Sequence, residues 1–593
     1  MTEASRTSSR RLLLLCALAA GLGLAGGGAA WVLIHLIALI TNLALFHRVG
    51  WRLPSFRDLA PGPGLVIAAV LGATAVSVLA RWAPMIRGHG LPEAMEAVLT
   101  RQSRISPRAA IAKPLSAAVA IGTGGPFGAE GPIIVTGGAL GSLVGQLLPV
   151  SASERKILVA AGAAAGMAAT FGAPLAAVVL AIELLLFEFS TRAFIPLVVA
   201  ASVAGAAHIA LFGPGPLFAV PPHDFTGLGR LPLYALLGVG CGLLAVVLSK
   251  GLFLLEDGFR RLPIDEFWHP VIGAVGFSLV GLAVPRALGV GYDAISDALL
   301  GRIALGALAV LGLAKLIAWW VALASGTSGG TLAPILLIGA SFGALVGHAA
   351  NAMAPGMHID PGAFALVAMA ATFGSATRAT FTSIVFVFEL TGDYHVMVPL
   401  MLASVVADLV ASSLMTESLM TEKLARRGMT VRGDYEVDVL RTTSVGTIMT
   451  SAVQVLGTDA TIGDALRSFG ATGHGGYPVV DAAGACVGIV TRTDLLQPDL
   501  DGGAPLATIT SPDPSVVTPT TLAFDALHLM LRRGVEHLPV VADGRLVGIC
   551  TRTDLLRTRL AQLDHERLQP GWHLPTALRH RRRLVGEGMN RLP

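Results

Sequence analysis

The sequence predicts an all-α, multi-span membrane domain of tilted, broken helices, followed by a smaller soluble α/β domain. Three observations carry this prediction. Charged residues make up only 13% of the 593, against 53% apolar, with a mean hydropathy of +0.70; soluble domains carry about a quarter charged residues. The 70 glycines and 34 prolines are tolerated in lipid where helices pack closely or break. Finally, each part of the chain repeats itself. Disorder, a collagen-like fibre and a disulfide scaffold each need a different composition. The net charge of +4 is too small to argue for a nucleic-acid partner. Cys16, Cys241, Cys486 and Cys550 have no metal or redox spacing.

Residues 1–11 are polar and carry Arg6, Arg10 and Arg11, and they are read as an N-terminal segment on the cytoplasmic side. The apolar run from Leu12 to Phe46 is too long for a signal-peptide core and reads as a first membrane helix. LLLLC also lacks the small residue of a lipoprotein site. The membrane domain is placed at 12–426, with Gly/Pro breaks at 61–64, 84–92, 122–132, 211–222, 284–291, 325–334 and 354–362. Several intervening segments fall short of the roughly 20 residues of a full span, so they are tilted, re-entrant or half-spanning. A linker at 427–442 leads to the soluble region 443–560, in two units of about 443–500 and 505–560. A basic tail at 561–593, with Arg579, His580, Arg581, Arg582 and Arg583, reads as a solvated segment.

AEGPIIVTGGALGSLVG (129–145) aligns without a gap with TLAPILLIGASFGALVG (331–347), and MAATFG (167–172) recurs at 369–374 in the same register. Two halves, about 30–215 and 230–426, therefore share a fold. Repeats of this kind suggest a transporter or channel with its site between them. The Gly/Pro segments open helices, and a helix start presents free N–H groups and the positive end of the dipole. Several such starts converging make an anion site with little formal charge. In the soluble region VGIVTRTDLL (487–496) recurs as VGICTRTDLL (547–556), and two such units pack as a pair because one buries too little core.

Glu130, in GAEGP (128–132), is the sharpest candidate. An ionisable group at a helix start within an apolar stretch is a functional hypothesis by default. Its carboxylate can occupy an anion site and leave it on protonation, which makes it a gate and a proton carrier; a helix cap is the plain alternative. GHGLP (88–92) is a second helix start, where His89 or the Gly90 N–H can face an anion, or His89 simply packs. GTSGGTLAP (326–334) is the repeat partner of the Glu130 loop, with Leu332 opposite Glu130; a tight glycine turn is the alternative. Glu183 and Glu389 end apolar helices, where a carboxylate often just reaches water. Lys113, Arg192 and Arg378 are expected to neutralise carboxylates or to face a water-filled vestibule. Asp494 and Asp554, in the T-R-T-D sequences, can accept both hydroxyls of a ribose, with Thr491 and Thr551 near phosphate, or they cap helices.

GHGLP, GAEGP and GTSGGTLAP, in this order and spacing, resemble the CLC chloride channels and proton/chloride antiporters, and the C-terminal pair resembles tandem CBS domains. The resemblance implies two inverted repeats, a homodimer with one anion pathway per subunit, chloride as the transported ion and no required cofactor. It implies Glu130 as gate, with His89, Gly90, Leu91, Gly128, Ala129, Gly131, Thr331, Leu332, Ala333 and Met420 along the pathway. An adenine nucleotide (ATP, ADP or AMP) at the CBS pair, near Asp494 and Asp554, is also implied. The chain departs from the family pattern at four places. His89 replaces a serine, Leu332 a phenylalanine, Met420 a tyrosine and Leu184 the internal proton-relay glutamate, with Glu183 just before it as a possible proton path.

Two functional readings follow. The first is a chloride channel or weakly coupled transporter gated by Glu130 and regulated by the CBS pair, favoured by Leu184. The alternative is a proton-coupled chloride antiporter, or a variant selective for fluoride or nitrate. A cation transporter lacks clustered carboxylates, and an enzyme lacks a nucleophile–base set or metal cluster. The expected location is multi-pass in a bacterial inner membrane, with the N-terminus and CBS pair cytoplasmic.

Overall fold

Proline and glycine punctuate this chain into many short helices, and the structure, a computed structural model, shows where each one starts. It describes residues 3–187, 189–221, 228–354, 356, 358–429, 439–441, 443–472, 474–496, 500–512 and 514–566. Residues 430–438 and 442 of the expected linker and 567–593 of the expected tail lie outside these. The chain falls into two units, Met1–Tyr435 and Glu436–Pro593.

The first unit is helical. Its first half comprises α1 (Glu3–Phe46), α2 (Pro63–Trp82), α3 (Leu91–Thr100), α4 (Pro107–Gly122), α5 (Glu130–Leu147), α6 (Ala152–Phe171), α7 (Pro174–Ala181) and α8 (Thr191–Phe212). The second half comprises α9 (Leu231–Arg260), α10 (His269–Ala283), α11 (Tyr292–Leu299), α12 (Leu305–Ala324), α13 (Leu332–Met353), α14 (Pro361–Thr377), α15 (Thr380–Thr391) and α16 (Met397–Leu414), with a short α17 (Glu422–Ala425) after it. Pro63, Pro107, Pro174 and Pro361 each stand at a helix start, where a missing N–H costs nothing. Among the described residues, seven helices are long and apolar enough to cross a membrane, and shorter apolar helices lie between them.

The packing repeats with the sequence. α5 lies on α6 as α13 lies on α14, and α1 lies on α8 as α9 lies on α16. Between the halves, α2 touches its counterpart α10 and α7 touches α15. Equivalent elements meeting each other is what a two-fold relation requires, so the halves are related by a pseudo-two-fold axis. The polar segment before Leu12 is not a separate tail, because α1 begins at Glu3. Arg11 donates to both carboxylate oxygens of Glu154 (2.8 and 2.9 Å) and fixes that end of the helix on α6.

The second unit pairs two α/β motifs by strand exchange. In the first, β1 (Leu456–Gly457) runs parallel to β2 (Gly476–Val480), which pairs antiparallel with β3 (Cys486–Thr491); β4 (Ser511–Pro512) joins the edge. In the second, β5 (His537–Ala542) pairs with β6 (Arg545–Thr551). Ser511, which leads into the second motif, pairs with Ile489 of the first, and Thr450 pairs with Ile549 of the second. Each motif thus completes the other's sheet, which explains why they occur as a pair. Burial pushes the Cys550 thiol up to about 12, so it behaves as a core residue rather than a nucleophile.

Candidate functional site: a buried cavity among helix starts

The three glycine loops meet backbone to backbone at the centre of the first unit. Gly128 and Gly330, equivalent residues of the two halves, exchange hydrogen bonds (3.2 and 2.9 Å) as an antiparallel bridge. Gly88 bridges to Ser328 beside them. From these loops α3, α5 and α13 begin, and α11 begins from a fourth glycine loop, after Gly291. Gly90, at the start of α3, has φ 92°, a conformation that a side chain resists. A Cβ on Gly330 would stand 2.6 Å from Glu130 Oε2, so that glycine makes room for the carboxylate.

The loops enclose a cavity of about 20 Å³, room for about one water-sized particle. Glu130, His89, Leu91, Gly131, Thr331, Leu332 and Met420 line it, together with Ile134, Leu180, Leu184 and Phe373. Glu130 is 1% exposed. Tyr292 donates its hydroxyl to Oε1 at 3.3 Å, Oε2 has no hydrogen-bond partner among the described residues, and the N–H groups of Glu130 and Ala333 face the carboxylate. The carboxylate therefore sits at the starts of α5 and α13, where an anion is favoured. His89 is 1% exposed, and neither ring nitrogen has a partner among the described residues. Of the remaining pathway candidates, Gly128 forms the central bridge, Ala129 precedes the first turn of α5 and Gly90 that of α3.

Two buried lysines hold the loops. Lys113 Nζ donates to the carbonyls of Ile86 (2.7 Å) and Gly88 (2.8 Å), and its repeat counterpart Lys315 donates to Gly289 (2.8 Å). This corrects the expectation for Lys113: its hydrogen bonds go to backbone carbonyls, not to a carboxylate, and it is fully buried rather than facing a vestibule. Arg192 does pair with a carboxylate, Glu154, at 3.1 Å. Arg378 donates to the Met415 carbonyl at 2.6 Å and stands 3.9 Å from Asp408.

Glu183 does not line the cavity. A π-helical turn, Ile182–Leu186, extends α7, and from it Leu184 faces the cavity while Glu183 accepts from the N–H groups of Phe381 (3.3 Å) and Thr382 (2.9 Å) and from the Thr382 hydroxyl (2.5 Å). Glu389 does the same for the start of α7, accepting from Leu175 (3.0 Å) and Ala176 (2.7 Å). The two glutamates are reciprocal caps on counterpart helices, so neither simply ends in water.

Tyr292 was not singled out by the motifs. Its loop, GVGYD (289–293), is the second-half counterpart of GHGLP, and that alignment would have found it. Its ring lies edge-on to Phe171 and Phe218. A wider vestibule of about 780 Å³ lies beside the loops, lined by Arg87, Arg101, Arg104, Arg108, Arg260, Arg426, Arg427 and Lys423 against Glu93, Glu96, Glu256 and Glu266. This excess of cations raises the local concentration of anions.

In the second unit, Asp494 Oδ2 accepts from the Thr491 N–H (2.8 Å) and hydroxyl (2.7 Å), and Asp554 Oδ2 accepts from Thr551 in the same way (2.9 and 2.7 Å). Each aspartate thus serves its local turn through one oxygen.

The profile of the family described as "Voltage gated chloride channel" matches residues 71–412, and the CBS domain profile matches 445–499 and 506–561. The chain is 30% identical over 388 residues to the H(+)/Cl(-) exchange transporter ClcA of Vibrio campbellii, covering 64% of this chain and 82% of that protein. Its fold is similar to a slow cyanobacterial Cl-/H+ antiporter (TM-score 0.61, 24% identity, 70% of this chain and 98% of that one). It is also similar to a eukaryotic CLC transporter (TM-score 0.59, 22% identity, 92% and 98%).

Proposed function

The chain belongs to the voltage-gated chloride channel family, a family of anion transporters, and we propose that within it this multi-pass membrane protein exchanges chloride for protons through the Glu130 cavity. The observation that carries this is the cavity itself: its walls are buried residues, it has room for about one small particle, and the Glu130 carboxylate occupies the helix-start position that an anion would take. Protonation removes that charge and lets an anion replace it, which ties anion movement to a proton. The relative from Vibrio campbellii, whose name describes an exchanger, supports the antiporter over the channel that Leu184 alone favoured.

In this reading Glu130 is the gate, and the N–H groups at the starts of α3, α5 and α13 hold the anion where the family's serine and tyrosine hydroxyls are replaced by His89 and Met420. Glu183 is a cap and carries no proton. The protein is a homodimer in a bacterial inner membrane with its N-terminus and CBS pair cytoplasmic. The CBS pair binds an adenine nucleotide at Asp494 and Asp554 and regulates transport. Radiotracer or electrode assays on liposomes, with chloride, bromide, nitrate and fluoride in turn, test it. Flux at saturating chloride whose pH dependence disappears in Glu130→Gln is expected. Flux of fluoride or nitrate without chloride overturns the chloride assignment, and pH dependence of the flux at saturating chloride surviving in Glu130→Gln removes Glu130 from the gate.

A further inference from the structure

Two titratable side chains line the cavity, Glu130 and His89. The first has a role in the exchange reading, and the second has none beyond facing the anion. A buried imidazole with both nitrogens unpartnered is costly unless something fills the gap. Its place in the chain is specific. Gly88, immediately before it, is on the wall of the vestibule, and Leu91, two residues after it, is on the wall of the cavity. His89 is the point at which the two compartments come closest in sequence. On the vestibule side stands Glu93, in the first turn of α3. Its Oε1 lies 3.2 Å from the point where a Cβ on Gly88 would stand, and its Oε2 is buried without a partner. A carboxyl, an imidazole and a second carboxyl thus follow one another from vestibule to cavity, each with an unpartnered atom.

We propose that Glu93 and His89 form the proton path into the cavity and that His89 takes up a proton together with the anion. The inference rests on the exchange reading above. The charges around His89 favour such coupling. Lys113 from α4 stands behind it and Lys423 from α17 acts on it from the vestibule. Glu93 is on its own helix, Glu130 faces the same cavity from α5, and Lys315 from α12 and Tyr292 from α11 act on Glu130. Flanked by two ammonium groups, a proton on the imidazole needs a counter-charge, and an anion entering the cavity supplies it. The proton then crosses to the gate. The imidazolium N–H bond breaks, an O–H bond forms on Glu130, and a neutral imidazole and a neutral acid remain beside the anion. The charge of the pair is unchanged, and the carboxyl is free to leave.

The test uses the full chain in detergent with Glu130→Gln, which leaves His89 as the titratable group of the cavity. Chloride is titrated by calorimetry over the range in which imidazole titrates, in two buffers of different ionisation heat. The expected result is affinity that weakens about tenfold per pH unit, with about one proton taken up per chloride bound. Adding His89→Asn or, in parallel, His89→Ser should remove that pH slope. In liposomes, Glu93→Gln should lower proton flux relative to chloride flux about tenfold. Chloride affinity independent of pH in Glu130→Gln, or a slope that survives both His89 substitutions, overturns the proton path and leaves the exchange reading standing. Failure of chloride, bromide, nitrate and fluoride alike to bind overturns the exchange reading itself.

Discussion

Tyr292→Phe removes one oxygen and leaves the ring between Phe171 and Phe218, so its effect falls on the Tyr292 hydrogen bond to Glu130. Hydrogen bonds to charged groups contribute about 1.5–3 kcal/mol. At 3.3 Å this one is long, which places it at the low end, about 1.5 kcal/mol, or roughly tenfold in an equilibrium. The hydroxyl donates to the carboxylate and has no comparable use for the protonated acid in its resting place. Its loss therefore favours protonation and departure of the gate. The pH at which chloride flux is half-maximal should rise by about one unit. Flux from liposomes over a pH series measures this directly. In a Glu130→Gln background the same substitution should have no further effect on the pH profile, since the two residues act as one unit. An unmoved midpoint, a downward shift, or an equal shift in the Glu130→Gln background would refute the reasoning.

Glu183→Gln and Glu389→Gln should each lower stability by about 1–2 kcal/mol, by similar amounts, because each removes the charge that receives two N–H groups at a counterpart helix start. Thermal unfolding reads the loss. The proton-to-chloride ratio should be the same in both variants as in the parent, and a ratio that collapses in Glu183→Gln alone would return that residue to the proton path. Asp494→Ala and Asp554→Ala should weaken binding of AMP, ADP or ATP to the full chain by about tenfold or more, the loss of a pair of charge-assisted hydrogen bonds. Equal binding in parent and variants would leave both aspartates as turn residues.

The fold was legible where the repeat was strong. The blocks at 129–145 and 331–347 share Pro132 and Pro334, and the glycines that follow them, and these mark the starts and packing faces of α5 and α13. Glu130 was legible for a different reason, as a charge where no water should be. Tyr292 was not, because GVGYD keeps only the two glycines of GHGLP and its hydroxyl acts on a residue 162 positions away. The direction of Glu183 was also hidden. Adjacency to Leu184 says nothing about the π-helical turn that decides which of the two faces the cavity. Lys113 misled for a physical reason: a buried ammonium suggests a carboxylate partner, and here the backbone carbonyls of Ile86 and Gly88 serve instead.

The central claim is that anion and proton share the Glu130 cavity, and coupled flux tests it most directly. Liposomes bearing the purified protein are given a chloride gradient with no pH difference and with a set membrane potential, and internal pH is followed together with chloride. Proton movement against its own gradient, driven by chloride and absent in Glu130→Gln, is the predicted result. Chloride movement that leaves internal pH unchanged would contradict the account and restore the channel.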